Sequence, residues 1–157
     1  MKIRLCYSSQ RNDEGDDLLQ DLRDILTEAR DFNTRHQIYG VLYYADNAFF
    51  QCLEGEKNAV ERIFEKIIAD SRHHSVKHIS SYVIEQFSFK KWSMKYVQRE
   101  TNIEYFFLQL GENNFNPSCL NEQSLTPFLQ ELLIAEQSKI PVGLKKVGML
   151  NRGVNPF

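Results

Sequence analysis

The amino-acid sequence predicts an α+β fold of the ferredoxin-like type, with its elements in the order β-α-β-β-α-β-β. Apolar residues alternate at a period of two in several short stretches, and they recur at helical spacing in two longer ones. The middle two strands are separated only by residues 45–47, which is enough for a hairpin turn. A sheet with two helices on one face leaves its other face to be covered by another part of the chain.

Length and composition indicate a globular protein. The chain has 157 residues, of which 42% are hydrophobic and 25% are charged, and its net charge is −2. This length is enough to build a hydrophobic core. The Lys and Arg residues are not gathered into one run, so nothing indicates direct binding to nucleic acid.

The sequence also indicates a cytoplasmic protein. The apolar run at the N-terminus is too short for a signal peptide, and no apolar stretch approaches membrane-spanning length. The three cysteines Cys6, Cys52 and Cys119 follow no zinc-like spacing, and we expect reduced thiols.

The first strand covers residues 2–8, where Ile3, Leu5 and Tyr7 alternate with more polar positions. The polar stretch from Ser9 to Asp17 predicts a loop. A helix of about four turns follows. Its apolar stripe consists of Leu18, Leu22, Ile25, Ala29 and Phe32.

The next elements are a hairpin, a second helix and two further strands. The hairpin joins a strand at 38–44 to a strand that ends at Gly55. The second helix carries the apolar residues Val60, Ile63, Phe64, Ile67 and Ile68. A fourth strand is predicted at 76–84 and a short fifth strand at 93–97.

The last sixty residues are expected to cover the open sheet face, where Cys6, Phe50 and Cys52 point by their parity in the strands. A capping box at 101–104 predicts a short helix as far as Leu110, and Thr126-Pro127 predicts the start of another. We therefore divide the chain into a domain at 1–97, a helical extension at 98–140 and a flexible tail at 141–157.

One residue of the third strand does not fit its surroundings. Gln51 alternates with Phe49 and Leu53, so its amide should point into an apolar layer, where it needs hydrogen-bond partners. Tyr7 on the first strand should point into the same layer. The amide either satisfies a buried phenol or relays between that phenol and a third group. The pattern alone favours the first interpretation.

Other candidate residues also have ordinary explanations. Asn33 could end the first helix in left-handed geometry or reach a polar ligand edge. His73, His74 and His78 would diverge and lack acidic partners at ligand spacing, so no metal site is predicted. Trp92 and Met94 share a parity and could both turn inward as core residues. The sequence contains no recognisable catalytic or nucleotide-binding motif, such as a nucleophile elbow or a P-loop.

Together these residues resemble the BLUF family, which senses blue light with FAD. The motifs that carry the resemblance are Tyr7-Ser8-Ser9, "ARDFN" with Asn33, "IYGVLYY", "FFQCLEG", "DSRH" and "WSM", and they span roughly residues 1–97. The helical extension is similar to that of short, single-domain members. One difference is Phe32, because the position before the asparagine is often polar in the family.

The resemblance implies a role for each matching residue. Tyr7 would be the electron donor to the photoexcited flavin, and Gln51 would bridge that phenol to the ring. Trp92 and Met94 lie on the family's signalling strand, and one or the other would approach Gln51. The residues expected to contact the cofactor besides Gln51 are Ser9, Ile25, Asn33, Leu42, Phe49, Asp70 and Arg72. The cofactor would be FAD, for which FMN could substitute.

The implied function is a light switch and not an enzyme. Light would rearrange the Tyr7–Gln51–flavin hydrogen bonds and thereby move the helices after residue 101. These helices and Lys145-Lys146 would bind a protein partner, such as a transcriptional regulator, without a membrane. Two alternatives remain: a flavin-free ferredoxin-like interaction module, and a small-molecule enzyme, which would need a perturbed acid-base pair that the sequence does not offer.

Overall fold

The computed structural model describes residues 1–12 and 17–140. In chain order the elements are β1 (Lys2–Arg11), α1 (Leu18–His36), β2 (Tyr39–Ala45), β3 (Ala48–Glu56), α2 (Lys57–Ile68), β4 (His73–Val83), β5 (Lys95–Gln98), α3 (Thr101–Gln109), a 3-10 turn (Pro117–Cys119) and α4 (Glu122–Ile134). The predicted tail at 141–157, with Lys145-Lys146, lies outside the described residues. None of the helices in the described ranges is long and apolar enough to cross a membrane.

The strands form one mixed sheet in the order β4-β1-β3-β2-β5. The strand β1 is antiparallel to both of its neighbours, and β5 is parallel to β2. The register of β1 and β3 sets Tyr7 directly opposite Gln51. The predicted ferredoxin-like plan and the central pairing of these two strands are therefore confirmed.

The strand β1 is longer than its sequence predicts. The strand continues to Arg11 instead of giving way to a loop at Ser9, because Gln10 pairs with Ala48 on one side and His74 on the other. The polar side chains of this segment suggested a loop. The backbone groups of a central strand, however, form hydrogen bonds with a neighbouring strand on each side. These backbone hydrogen bonds extend β1 even where its side chains are polar.

The helix α1 is capped at both ends. The side chain of Asp17 accepts hydrogen bonds from the backbone N–H groups of Leu19 and Gln20. At the other end Gln37 takes the left-handed conformation, with φ 57°, and its N–H donates to the carbonyl of Asn33. The interpretation of Asn33 as the left-handed residue is thus wrong, since Asn33 lies inside the helix.

The other sheet face is covered by the C-terminal part of the chain, as predicted. Cys6, Phe50 and Cys52 lie fully buried beneath it. The ring of Phe128 from α4 meets Phe50 edge-on, with 4.9 Å between ring centroids. Its other neighbours are Tyr43, Phe106, Phe107 and Phe115. An aromatic cluster therefore joins the extension to the sheet.

Both C-terminal helices start differently from the prediction. Glu100, and not Thr101, caps α3 by accepting from the N–H groups of residues 102 and 103. The helix α4 begins at Glu122, four residues before Thr126, because Asn121 and Ser124 form a capping box. Pro127 therefore lies inside α4. The carbonyl that it leaves without a helical donor belongs to exposed Gln123, where water can reach it.

Candidate functional site

A cavity of about 380 Å³ lies between α1, α2 and the sheet. Its walls are largely apolar, and most of the residues predicted to bind a cofactor contribute to them. The lining includes Tyr7, Ile25, Asn33, Leu42, Phe49, Gln51, Asp70 and Arg72. Residues from five separate elements of the sequence thus meet around one space that is large enough for part of a small-molecule ligand.

The inner end of the cavity holds the Tyr7–Gln51 pair. The Tyr7 hydroxyl donates to Gln51 Oε1 at 2.5 Å, and Gln51 Nε2 faces Met94 Sδ at 3.6 Å. All three side chains are buried. Burial raises the pKa of Tyr7 well above its ordinary value, so the phenol is a neutral donor. Gln51 consequently has one strong partner and one weak, polarisable one.

Asn33 reaches the cavity from α1. Its Nδ2 donates to the backbone carbonyl of Ser93 at 2.7 Å, which ties the helix to the segment before β5. Within residues 1–12 and 17–140, no hydrogen bond reaches the side-chain oxygen of Asn33. Since the residue is buried and lines the cavity, this oxygen is an acceptor available to a ligand that carries an N–H donor.

Charged groups gather at another part of the cavity wall. Arg72 forms ion pairs with Asp70 at 2.6 Å and with Glu28 at 2.8 Å. The hydrogen bond from Arg72 lowers the pKa of Asp70, and the same bond raises the pKa of Arg72. Arg72 is thereby held as a positioned cation that could meet a hydroxyl or phosphate.

Ser9 does not line the cavity, although the sequence predicts it as a contact. Its Oγ is hydrogen-bonded to His73 Nδ1 at 2.7 Å, and His73 Nε2 is 2.6 Å from the carbonyl of Ile67. Because a carbonyl only accepts, Nε2 donates to Ile67, and in the neutral ring Nδ1 then accepts from Ser9 Oγ. Ser9 therefore orients His73, which does line the cavity.

Sequence reasoning missed His73 as a cavity residue. In the sequence it is considered only as a metal ligand, but it opens β4, and its ring meets Tyr7 edge-on with centroids 6.3 Å apart. Its place directly after the "DSR" segment was the available signal. Across the part of the chain that the structure describes, no group of three His, Cys, Asp or Glu residues could hold a metal ion.

Phe32, the residue that departs from the family pattern, also lines the cavity. Its ring stacks on His36 with centroids 4.0 Å apart, and Lys66 Nζ lies 5.1 Å from its centroid. An aromatic face bounded by two basic side chains thus replaces a hydrogen-bonding group at this position.

Trp92 and Met94 point to opposite sides of the sheet. Met94 is buried with the residues under α1, whereas Trp92 packs against the cluster that includes Phe89 on the covered face. Their shared parity predicted that both side chains point to the same face of the sheet. Side chains alternate strictly only within a strand, however, and residues 92–94 precede β5, which begins at Lys95.

The arrangement fits a flat heteroaromatic ligand. Ile25, Leu42 and Phe49 supply apolar surface for a ring, while the Gln51 amide and the Asn33 oxygen can meet polar edges. Arg72 can meet a polar or anionic extension. The chemistry available at the inner end is hydrogen-bond exchange at a buried amide beside a neutral phenol.

Comparisons with known proteins agree with this geometry. The family profile described as "BLUF: Sensors of blue-light using FAD" matches residues 3–95. The chain is similar to the structure entitled "BlsA ground state", at 66% identity and a TM-score of 0.87, over 97% of this chain and 100% of that one. It is also similar to "BlsA photo-activated state", at 68% identity and a TM-score of 0.86, over 88% of this chain and 99% of that one.

More distant similarity extends to the structure "BlrB - a BLUF protein, dark state structure". It is 26% identical with a TM-score of 0.70, over 84% of this chain and 94% of that one. A comparison with curated protein sequences finds no match.

Proposed function

The chain belongs to the BLUF family of sensors of blue light using FAD, and on this premise we propose how it works. Light rearranges the hydrogen bonds of Tyr7 and Gln51 around a bound flavin, and the C-terminal helices transmit the change to a protein partner. The observation that carries this proposal is the buried Tyr7–Gln51 hydrogen bond at the inner end of the cavity.

The cavity residues fit a flavin. The ring would lie against Ile25, Leu42 and Phe49, with its polar edges toward the Gln51 amide and the Asn33 oxygen. Asp70 and Arg72 would meet the ribityl chain or a phosphate. We propose FAD as the cofactor, for which FMN can substitute because all of these contacts are to groups that both flavins share.

A bound flavin supplies the absorption of blue light and, once excited, an acceptor for an electron. The protein supplies a phenol whose proton is held toward Gln51 Oε1. A half-turn of the amide exchanges its two ends, so that Nε2 faces the tyrosine oxygen and Oε1 faces Met94. The exchange changes strong interactions, because the surrounding layer is apolar and hydrogen bonds are stronger there than in water.

The route to the C-terminal helices starts at Met94. Its sulfur accepts weakly from Gln51 Nε2, and an amide oxygen in that place would repel it. The next residue, Lys95, is buried and donates to the carbonyl of Leu133 in α4 at 2.9 Å. Lys95 Nζ also lies 4.3 Å from the centre of the Trp92 ring. A shift of β5 would therefore act directly on α4.

The output is proposed to be a protein–protein interaction of residues 98–140, such as binding to a transcriptional regulator, and not an enzymatic reaction. The residues around the cavity support this because they offer hydrogen-bond exchange and ring contacts. A substitution in α4 tests the output better than truncation after Val97, because truncation would expose Phe50 and its neighbours.

Visible spectra of the purified protein, taken in the dark and under blue light, test the proposal. We expect an absorption band near 450 nm, roughly where bound flavin absorbs, and a small, reversible red shift on illumination. A colourless protein would instead favour a flavin-free interaction module. A flavin band that bleaches or turns over an added substrate without any red shift would favour an enzyme.

A further inference from the structure

A second cavity, of about 340 Å³, lies on the far side of Met94 from the first. One wall comes from Leu26 and Arg30 of α1, and another from residues 91–94 before β5. The third wall is the segment 137–140, which follows α4. Three parts of the chain that are distant in sequence thus border one pocket beside Trp92 and Met94.

The third wall is held in place by hydrogen bonds to β5. Ser138 N–H donates to the carbonyl of Tyr96 at 2.7 Å, and Gln98 N–H donates to Ser138 Oγ at 3.0 Å. Ile140 packs against the core cluster under α1. Because its backbone and side chains are both anchored, this segment forms a defined wall of the cavity.

The cavity is positively charged. Arg30, Lys91 and Lys139 line it, and no Asp or Glu is among its lining residues. This contrasts with the chain as a whole, whose net charge is −2. In the described ranges, neither Lys91 nor Lys139 takes part in an ion pair. Burial lowers the pKa of Arg30, as expected for a cation whose solvation is incomplete.

Arg30 also connects the cavity to the signalling segment. Its Nε donates to the backbone carbonyl of Met94 at 3.1 Å. The side chain of Met94 faces Gln51 on one side and lines the charged cavity on the other. An anionic group bound beside Arg30 would therefore contact the residue that senses the orientation of the Gln51 amide.

We propose that this cavity is the binding site for a carboxylate side chain of an acidic segment in the partner protein. The inference rests on the proposed function and gives the partner's chemistry. The apolar lining residues Leu26, Trp92 and Ile140 suit the aliphatic neighbours of such a carboxylate.

A peptide carboxylate fits better than a nucleic acid. Three cations around one pocket, two of them the exposed Lys91 and Lys139, can neutralise one or two carboxylates, but they do not form the extended basic stripe that follows a phosphate backbone. The position of the site also explains how light could regulate it. Movement of Met94 would change both the carbonyl that holds Arg30 and the shape of the cavity.

The test is a titration of the full-length, flavin-loaded protein with a fluorescein-labelled hexapeptide of alternating glutamate and leucine, followed by fluorescence anisotropy. We expect binding that weakens with added salt, differs between dark and blue light, and is absent for the matching glutamine–leucine peptide. In Lys91→Gln/Lys139→Gln the affinity should fall roughly five- to tenfold, as expected for the loss of two partly exposed ion pairs.

The matched control is Lys90→Gln/Arg62→Gln, which removes the same charge from exposed positions outside the cavity. It should bind the glutamate peptide like the unaltered protein. Equal weakening in both double variants, or no binding by the unaltered protein, would overturn the proposal. Displacement of the peptide by millimolar inorganic phosphate, or tighter binding of a DNA duplex, would also overturn it in favour of a phosphate site.

A red-shift measurement on the same samples separates this inference from the proposed function. If the red shift is present and the peptide does not bind, only the carboxylate site is wrong. If the red shift is absent, the proposed function fails. Equal peptide affinity in the dark and under light would contradict the link between the charged cavity and Met94.

Discussion

The two faces of the sheet are built from the same strands, yet they are filled in different ways. On the covered face Cys6, Phe50 and Cys52 are fully buried under interlocking aromatic rings. One residue along each strand, Tyr7 and Gln51 point to the opposite face and border a cavity. The covered face therefore provides rigidity, and the other face holds a polar pair that can rearrange.

The contrast also defines the route to the C-terminal helices. The cavity that fits the flavin lies on one face and α4 lies on the other, so a change at Gln51 has to cross the sheet to reach α4. The crossing point is the segment before β5, where Met94 points to one face and Trp92 to the other. The predictions below test the stability of the covered face first, then the crossing point, and finally the cavity.

The largest expected effect on stability is at the centre of the covered face. Phe128→Ala removes a fully buried ring with several aromatic neighbours, so the free energy of unfolding should fall by about 3–5 kcal/mol. Urea denaturation followed by circular dichroism measures it. Ile134→Ala, on the same helix but 73% exposed, is the control and should change stability by at most about 0.5 kcal/mol. Similar losses in both would contradict the role of the aromatic cluster.

The crossing point is tested by Lys95→Met. This change removes the hydrogen bond to the carbonyl of Leu133 and the contact with the Trp92 ring, while it leaves the flavin cavity unaltered. We expect a normal red shift but a much smaller light-induced change in amide hydrogen exchange along α4. The control is Lys90→Met, the same change at an exposed lysine five residues earlier, which should behave like the unaltered protein. An undiminished exchange difference in Lys95→Met would exclude this route.

The pKa of Tyr7 predicts how the photoresponse depends on pH. Burial raises this pKa well above its ordinary value of 10.0. The phenol therefore stays protonated between pH 7 and about pH 10, and the amplitude of the red shift should be constant over that range. Above pH 10 the unfolded chain ionises first, so stability should begin to fall there. Loss of amplitude with a midpoint near 10 would show an ordinary, exposed phenol.

A smaller effect is expected from the charged wall of the flavin cavity. The hydrogen bond from Arg72 lowers the pKa of Asp70, so its stabilising contribution is present above the ordinary value of 3.8 and is lost as pH falls through the lower folded value. Asp70→Asn should cost at most about 1 kcal/mol because the pair is partly exposed. We expect it to weaken flavin binding severalfold, measured by fluorescence titration, with Asp24→Asn as an exposed control on α1 outside the cavity.

Strand alternation predicted the parts of the molecule that a periodic backbone determines. It predicted that β1 pairs with β3, that Tyr7 and Gln51 point into the same layer, and that Cys6 and Phe50 point to the covered face. These follow from sequence because side chains in a strand must point to alternate faces. The same rule failed for Trp92, which lies before β5 begins.

Other features depend on contacts between distant residues and could not be found by local patterns. Lys95 would be expected at the surface, but its partner is a carbonyl 38 residues away. Ser9 contacts His73 instead of the cavity because β1 continues into the stretch predicted to be a loop. In each case a tertiary partner decides the environment of a polar residue, and its identity is not encoded in the local spacing.

The central claim is that the buried Tyr7–Gln51 pair is the element that responds to light. Gln51→Leu approximately keeps the size of the side chain and removes both of its hydrogen-bonding ends, and Tyr7→Phe keeps the ring and removes the hydroxyl group. The direct measurement is the light-minus-dark absorption spectrum of each variant. We predict that both bind flavin and that neither shows the red shift. A normal, reversible red shift in either variant would contradict the account.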